Sequence, residues 1–140
     1  MKLTTKLLTL AGILLLSTPV YSQDGASLFE AKCASCHVTT RPADISTLVA
    51  PPAMGVVRHV KMTYNTKESA VKFMVDYILN PDEKKAVCMA DKIKRFGLMP
   101  SQKENVTSEE VQTIATWMYD SFGGQGMGQG KAHGKNCKNK

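Results

Sequence analysis

The sequence has 140 residues, of which 43% are hydrophobic, 21% charged and only 6% aromatic. This length suits one domain, and the composition excludes a chain that is disordered throughout or that crosses a membrane several times. The formal charge of +6 is unevenly placed, because residues 23–122 hold 12 basic and 12 acidic side chains, whereas residues 123–140 hold four lysines and no acid. A neutral body has no basic face for nucleic acid, so we expect no nucleic-acid partner.

The N-terminus has the pattern of a secretory signal. Lys2 and Lys6 precede a short apolar stretch over residues 7–16, and small residues follow up to Ser22. Because a bilayer span needs about 20 apolar residues, the pattern predicts a cleaved signal peptide over residues 1–22 rather than a membrane anchor. We therefore expect an exported protein with no stable membrane span.

A first helix is predicted to begin at Asp24, a favourable N-cap residue, and to run from Ala26 to about Ala34. Gly25 and Phe29 are four residues apart and therefore share one face of this helix. The helix leads directly into a cysteine pair.

That pair is part of the sequence Cys33-Ala34-Ser35-Cys36-His37. Two thiols three residues apart lie on one side of a helix or tight turn, where they can reach two vinyl groups along one edge of a haem. The histidine that follows can offer a ring nitrogen to the iron, and C-x-x-C-H is the attachment signature of haem c. A zinc site would need a second cysteine pair at closer spacing, and a thioredoxin-like pair would need a preceding strand. Cys33, Cys36 and His37 are therefore predicted to bind haem c.

Three further segments fill the middle of the chain. The proline-rich residues 41–60 are predicted as a loop around the haem, and residues 66–79 as a helix. Asn80 ends this helix, because the residue before a proline avoids the helical region. Pro81 suits the first turn of another helix, which is predicted to extend through Lys94.

The other side of the iron needs a second ligand or remains open. Met99 stands in Phe96-Gly97-Leu98-Met99-Pro100, 62 residues after His37. Gly97 lets the chain leave the preceding helix in a left-handed conformation, and Pro100 restricts the backbone next to Met99. We favour Met99 as the distal ligand, with Met54 and His59 as open alternatives. The remaining methionines are predicted to fill the core, namely Met62, Met74, Met89 and Met118.

A last helix is predicted from the capping box that Thr107 forms with Glu110. Its apolar side chains recur at helical spacing, at Val111, Ile114, Ala115, Met118 and Phe122. No segment shows the strict alternation that a strand requires, so the fold class is all-α.

These motifs resemble those of the small monohaem class I cytochromes c of bacteria, over residues 24–122. The resemblance implies a cytochrome c fold, in which about four short helices and loops wrap around one covalently bound haem. Residues 23–122 would form the cytochrome c domain, with haem attached to Cys33 and Cys36 and its iron ligated by His37 and Met99. It also implies that the first and last helices cross, with Gly25 and Phe29 packed against Trp117.

The implied function is that of a periplasmic carrier of single electrons between respiratory redox partners, and not of an enzyme. The partners would be periplasmic or membrane-bound redox proteins that dock transiently, steered by Lys32, Arg41 and Lys61. The alternative is a haem enzyme subunit, or a gas- or peroxide-reactive haem domain, with a labile distal ligand. Peroxide chemistry would need a distal acid–base group, for which His59 is the only further histidine in residues 38–122.

Two cysteines and the C-terminal segment remain. Cys88 and Cys137 either form a disulfide in an oxidising compartment or stay separate thiols. Residues 123–140 are rich in glycine and lysine and are predicted to be a flexible basic tail. His133 and Cys137 make a weak candidate metal site on that tail.

Overall fold

The computed structural model describes residues 24–87 and 90–122. The predictions for the signal peptide, for Cys88 and Cys137 and for the basic tail fall outside these residues. Within them the chain is all-helical, as predicted, and contains no strand. The helices are α1 (Gly25–Lys32), α2 (Ala53–Thr63), α3 (Lys67–Leu79), α4 (Ala90–Phe96) and α5 (Ser108–Ser121), with a 3₁₀ turn at Ile45–Thr47 between α1 and α2. In this part of the chain no helix has the length and apolar character needed to cross a bilayer.

Both predicted N-caps are present. The Asp24 carboxylate accepts hydrogen bonds from the backbone N–H groups of Ala26 and Ser27, at 2.9 and 3.0 Å. These bonds, chiefly those from Ser27, hold the pKa of Asp24 below its usual value. At α5 the Glu110 N–H donates to Thr107 Oγ1, and the Thr107 N–H donates to the Glu110 carboxylate at 2.8 Å, which completes the capping box.

The first and last helices cross at Gly25. This glycine is buried, and a Cβ placed on it would overlap the Trp117 side chain and lie 2.8 Å from the Thr113 carbonyl oxygen. Aromatic rings surround the crossing: the Phe29 ring centroid is 5.2 Å from that of Trp117 and 6.2 Å from that of Phe122. The crossing that the resemblance implied is therefore confirmed.

The third helix packs on the other side of α5. Its buried residues Ala70, Val71 and Met74 belong to one core cluster with Ile114 and Met118 of α5. The prediction that Met62 fills the core is wrong, because this residue of α2 is 42% exposed to solvent.

Helix α2 corrects the prediction that residues 41–60 are a loop. Pro52 occupies the N-cap position, so the prolines end before the helix begins and do not interrupt it. The buried residues Ala53, Val57 and Val60 have helical spacing, which turns one face of α2 to the core. The proline content of residues 41–52 concealed this pattern.

The predicted helix from Pro81 to Lys94 was also wrong over its first half. Asp82 Oδ1 accepts the Lys84 N–H at 2.8 Å, and the Asp82 carbonyl accepts the Lys85 N–H at 3.0 Å, so residues 82–85 form a turn. The helix, α4, begins only at Ala90 and ends at Phe96. Pro81, predicted in the first turn of this helix, instead directly precedes the turn that Asp82 forms.

Replacing Gly25 with alanine is expected to lower the free energy of unfolding of the haem-loaded protein by about 1–3 kcal/mol, the usual cost of overpacking. The added Cβ would force α1 and α5 apart at their closest approach. Urea unfolding measures the change. Gly55→Ala in α2 is the matched control, because no atom lies within 4 Å of its added Cβ, and it should raise stability by about 0.5–1 kcal/mol. Equal effects of the two substitutions would contradict the close crossing.

Candidate haem site

The cysteines and the histidine of the C-x-x-C-H sequence lie in one tight turn at the end of α1. The N–H groups of Cys33 and Ala34 donate to the Phe29 carbonyl, at 2.8 and 3.0 Å. The Cys36 and His37 N–H groups both donate to the Cys33 carbonyl, at 3.1 and 2.9 Å. Cys33 is half-buried and packs against the core, whereas Cys36 is exposed.

The environment of Cys33 disfavours thiolate chemistry. Burial, with a smaller contribution from the charge of Cys36, raises the pKa of the Cys33 thiol to about 11. Thiolate nucleophiles and zinc ligands need a lowered pKa. The Cys33 thiol is therefore neutral in its apolar setting, which is compatible with a thioether link to haem.

The imidazole of His37 is fixed by the loop that follows it. His37 Nδ1 lies 2.8 Å from the carbonyl oxygen of Pro51. Because a carbonyl can only accept, the proton must be on Nδ1, which leaves the lone pair of Nε2 free for a metal. Histidines that bind metals typically donate their other ring N–H to such a partner. The Ala53 N–H donates to the Val38 carbonyl at 2.9 Å and holds the start of α2 beside this histidine.

Met99 lies in the loop after α4, as predicted. Gly97 has φ +78°, the left-handed conformation expected at a helix C-terminus, and its N–H donates to the Ile93 carbonyl at 2.8 Å. Met99 itself is half-buried. Just after it, Ser101 and Gln102 are hydrogen-bonded to the end of α3.

Large apolar side chains are exposed in the two segments that would face a haem. Ile45 and Val49, in the loop between His37 and α2, are 44% and 65% exposed, and Leu98, beside Met99, is 40% exposed. Arg95 joins these segments, because its guanidinium donates to the Ile45 carbonyl at 2.6 Å. Exposed apolar side chains on two linked segments, together with a histidine that has a free Nε2, fit a flat apolar macrocycle. The residues present therefore fit haem c.

The alternative ligands lie on α2. Met54 is the residue after Ala53, whose N–H donates to the Val38 carbonyl. His59 Nδ1 donates to the Gly55 carbonyl of its own helix at 2.8 Å, which leaves its Nε2 free as in His37. Met54 and His59 therefore stay open as alternative ligands beside Met99.

Two of the three basic residues expected to steer partners form hydrogen bonds within the protein. Lys61 donates to the Phe122 carbonyl at 2.8 Å and lies 4.2 Å from the centre of the Tyr119 ring. Lys32 donates to the Asn105 carbonyl at 3.1 Å. Arg41 is exposed. Lys61 therefore pins α2 to the end of α5, and its assignment to partner steering has no support.

Sequence reasoning missed the roles of Pro51, Arg95 and Ser101. Pro51 acts through its carbonyl, which every residue has, so no side-chain pattern marks it. Arg95 and Ser101 bond to backbone groups 50 and 22 residues away. Only the fold brings such partners together.

An all-α fold in which a C-x-x-C-H turn presents a histidine with a bonded Nδ1 defines the c-type cytochromes. Residues 22–118 match the family described as cytochrome C oxidase, cbb3-type, subunit III, and the chain belongs to this family of haem-binding electron-carrier cytochromes. Membership implies covalently bound haem c with its iron.

The chain also has a relative in Aquifex aeolicus (strain VF5), described as an uncharacterized protein. The two are 30% identical over 128 residues, which cover 78% of this chain and 84% of the relative. No solved structure gives a significant match.

Replacing Cys33 and Cys36 together with serine is expected to abolish covalent haem attachment, because no thiol remains at the turn to form a thioether. The mass of the denatured protein measures this: the wild type should carry one haem and the double variant none. Cys88→Ser is the matched control and should keep its haem. Haem that stays attached to the double variant would contradict the assignment.

Proposed function

We propose that this chain is a periplasmic monohaem cytochrome c that carries single electrons between respiratory redox partners. Cys33 and Cys36 would attach the haem, His37 would be the proximal ligand and Met99 the distal ligand. The observation that carries the proposal is the 2.8 Å hydrogen bond between His37 Nδ1 and the Pro51 carbonyl. When bound, haem c supplies an iron that takes up and releases one electron.

On the proximal side, the chain orients one ring. The Pro51 carbonyl fixes the tautomer of His37, and the bond from His37 N–H to the Cys33 carbonyl fixes its backbone at the end of the turn. A hydrogen bond to Nδ1 also makes Nε2 a stronger electron donor. Because the ring is held before any change in iron charge, little rearrangement accompanies electron transfer.

On the distal side, the chain presents a thioether from a stiff loop. Gly97 turns the chain out of α4, and Pro100 restricts the backbone after Met99. A thioether favours reduced iron and raises the potential relative to a second nitrogen ligand. With His37 and Met99 both bound to the iron, no substrate could coordinate, and the protein would act as an electron carrier rather than as a peroxide- or gas-reactive domain.

Electrons would be exchanged through surface contact rather than through a bound substrate. Cys36 is exposed at the end of the attachment turn, so a partner that docks there would lie close to the attached haem. Redox encounters of this kind use small interfaces and release quickly. Arg41, Lys92 and Lys94 are exposed and would favour an acidic partner surface.

The location and partners are inferred from the sequence and the family. The N-terminal pattern of residues 1–22 supports export to the periplasm. The family description names a subunit of a cytochrome oxidase, which supports a membrane-bound respiratory complex as one redox partner.

Replacing Met99 with alanine is expected to open the iron. Wild-type protein should have a low-spin ferric spectrum with the weak far-red band of thioether ligation, and its reduced form should not bind carbon monoxide. The variant should become high-spin, bind carbon monoxide and lose on the order of 0.1 V of potential, within the roughly 0.8 V range that axial ligands control. Absorption spectra and a redox titration measure these changes.

Met54→Ala and His59→Ala are the matched controls, because these residues are the alternative ligands. Both should keep the wild-type spectrum and potential. If one of them opens the iron and Met99→Ala does not, that residue is the ligand. Rapid binding of carbon monoxide by the wild type would refute the proposal of a simple electron carrier.

A further inference from the structure

We infer that Ser101 is a positioning residue for the distal ligand, because its hydroxyl fastens the chain just after Met99 to the C-terminal end of α3. The inference rests on the proposed function, since it takes Met99 as the ligand. Ser101 itself touches neither the iron nor a substrate.

The end of α3 explains why a distant serine is needed there. The last carbonyl groups of a helix have no partner within the helix. Usually the N–H groups of the one or two residues past the end donate to these carbonyls. The second residue past Leu79 is Pro81, which has no N–H to donate. The Asn80 N–H donates to the Asp76 carbonyl at 2.7 Å, and the carbonyls of Tyr77, Ile78 and Leu79 remain.

The methionine loop supplies donors for two of these carbonyls. Ser101 Oγ donates to the Leu79 carbonyl at 2.6 Å, and the Gln102 N–H donates to the Ile78 carbonyl at 3.1 Å. Two adjacent residues thus cap α3 from outside the helix. The same two hydrogen bonds that cap α3 therefore hold the distal loop in place.

The connection to Met99 is short and stiff. Only Pro100 lies between Met99 and Ser101, and its ring fixes its φ angle. Two residues extend at most about 7 Å, so a shift of Ser101 moves Met99 with it. On the other side of Met99, Gly97 leaves α4 with φ +78° and its N–H is bonded to the Ile93 carbonyl, so that side is fixed by the end of α4. Ser101 fixes the side after Met99, and the position of the thioether depends on both.

The same turn is also bonded to the attachment side of the site. The N–H groups of Asn105 and Val106 donate to the Gln102 carbonyl, at 2.9 and 3.1 Å, and close a compact turn after Ser101. Lys32, which directly precedes Cys33, donates to the Asn105 carbonyl at 3.1 Å. The turn over residues 101–106 therefore ties the methionine loop both to α3 and to the end of α1.

Imidazole binding to the ferric, haem-loaded protein tests the inference, because imidazole competes with a thioether for the iron. In Ser101→Ala the apparent Kd for imidazole should fall about fivefold and the far-red band should weaken. This is the effect expected from losing the bond to the Leu79 carbonyl, since the second bond of this hydroxyl, from the Lys103 N–H, is long at 3.4 Å. Ser101→Thr keeps the hydroxyl and should restore both. Exchange of the Gln102 amide proton should become faster in Ser101→Ala, which reports the loosened cap independently of the iron.

Ser69→Ala is the matched control. Ser69 Oγ donates to the Thr66 carbonyl at 3.0 Å, so this substitution removes the same group from the opposite end of α3. It should leave the Kd for imidazole and the far-red band unchanged. An equal change in Ser69→Ala, or no change in Ser101→Ala, would overturn the positioning role.

The Met99→Ala variant separates this inference from the proposed function. If Met99→Ala opens the iron and Ser101→Ala does not change imidazole binding, the ligand assignment stands and the positioning role is wrong. In the Met99→Ala background, Ser101→Ala should have no further effect on the Kd, since no thioether remains to be positioned. If Met99→Ala leaves the iron closed, the ligand assignment fails and the inference fails with it.

Discussion

The hydrogen bond between His37 Nδ1 and the carbonyl of Pro51 decides which ring nitrogen can face a metal. It needs Pro51 to be placed against a residue 14 positions earlier, which requires the intervening loop to return to the attachment turn. The bond from the Ala53 N–H to the Val38 carbonyl secures that return and starts α2. Helix α2 then buries Ala53, Val57 and Val60. The orientation of one imidazole is in this way tied to the hydrophobic core.

The crossing of α1 and α5 also positions the attachment turn. Gly25 lets the two helices meet, and the ring of Phe29 packs against Trp117 and Phe122. Because the attachment turn begins at Cys33, whose N–H is bonded to the Phe29 carbonyl, the position of the cysteines depends on this packing. Aromatic residues are few in this chain, and three of them, Phe29, Trp117 and Phe122, support the attachment turn.

The sequence predicts well those features that depend on residues close together in the chain. Asp24 and Thr107 cap helices with their own side chains, and the spacing of Cys33, Cys36 and His37 is itself the motif. The failures are α2, concealed by prolines that stop one residue before it, and the turn at Asp82. In both places the local sequence is compatible with a helix and with a non-helical segment, and only the contacts with the rest of the fold select one. The partners of Arg95, Lys61 and Ser101 are backbone carbonyls far along the chain, which no side-chain pattern could reveal.

The two sides of the site are consequently built in different ways. On the histidine side, the residues that matter lie within residues 33–53 and are joined by backbone hydrogen bonds of a turn and a loop. On the side that carries Met99, the turn over residues 101–106 has hydrogen bonds of its own, and Ser101, Gln102 and Arg95 join the segment to other elements. A contact between two elements is lost when either element moves, so the segment around Met99 should loosen before the attachment turn. Because Met99 is the proposed distal ligand, such loosening would change the chemistry of the iron first on that side.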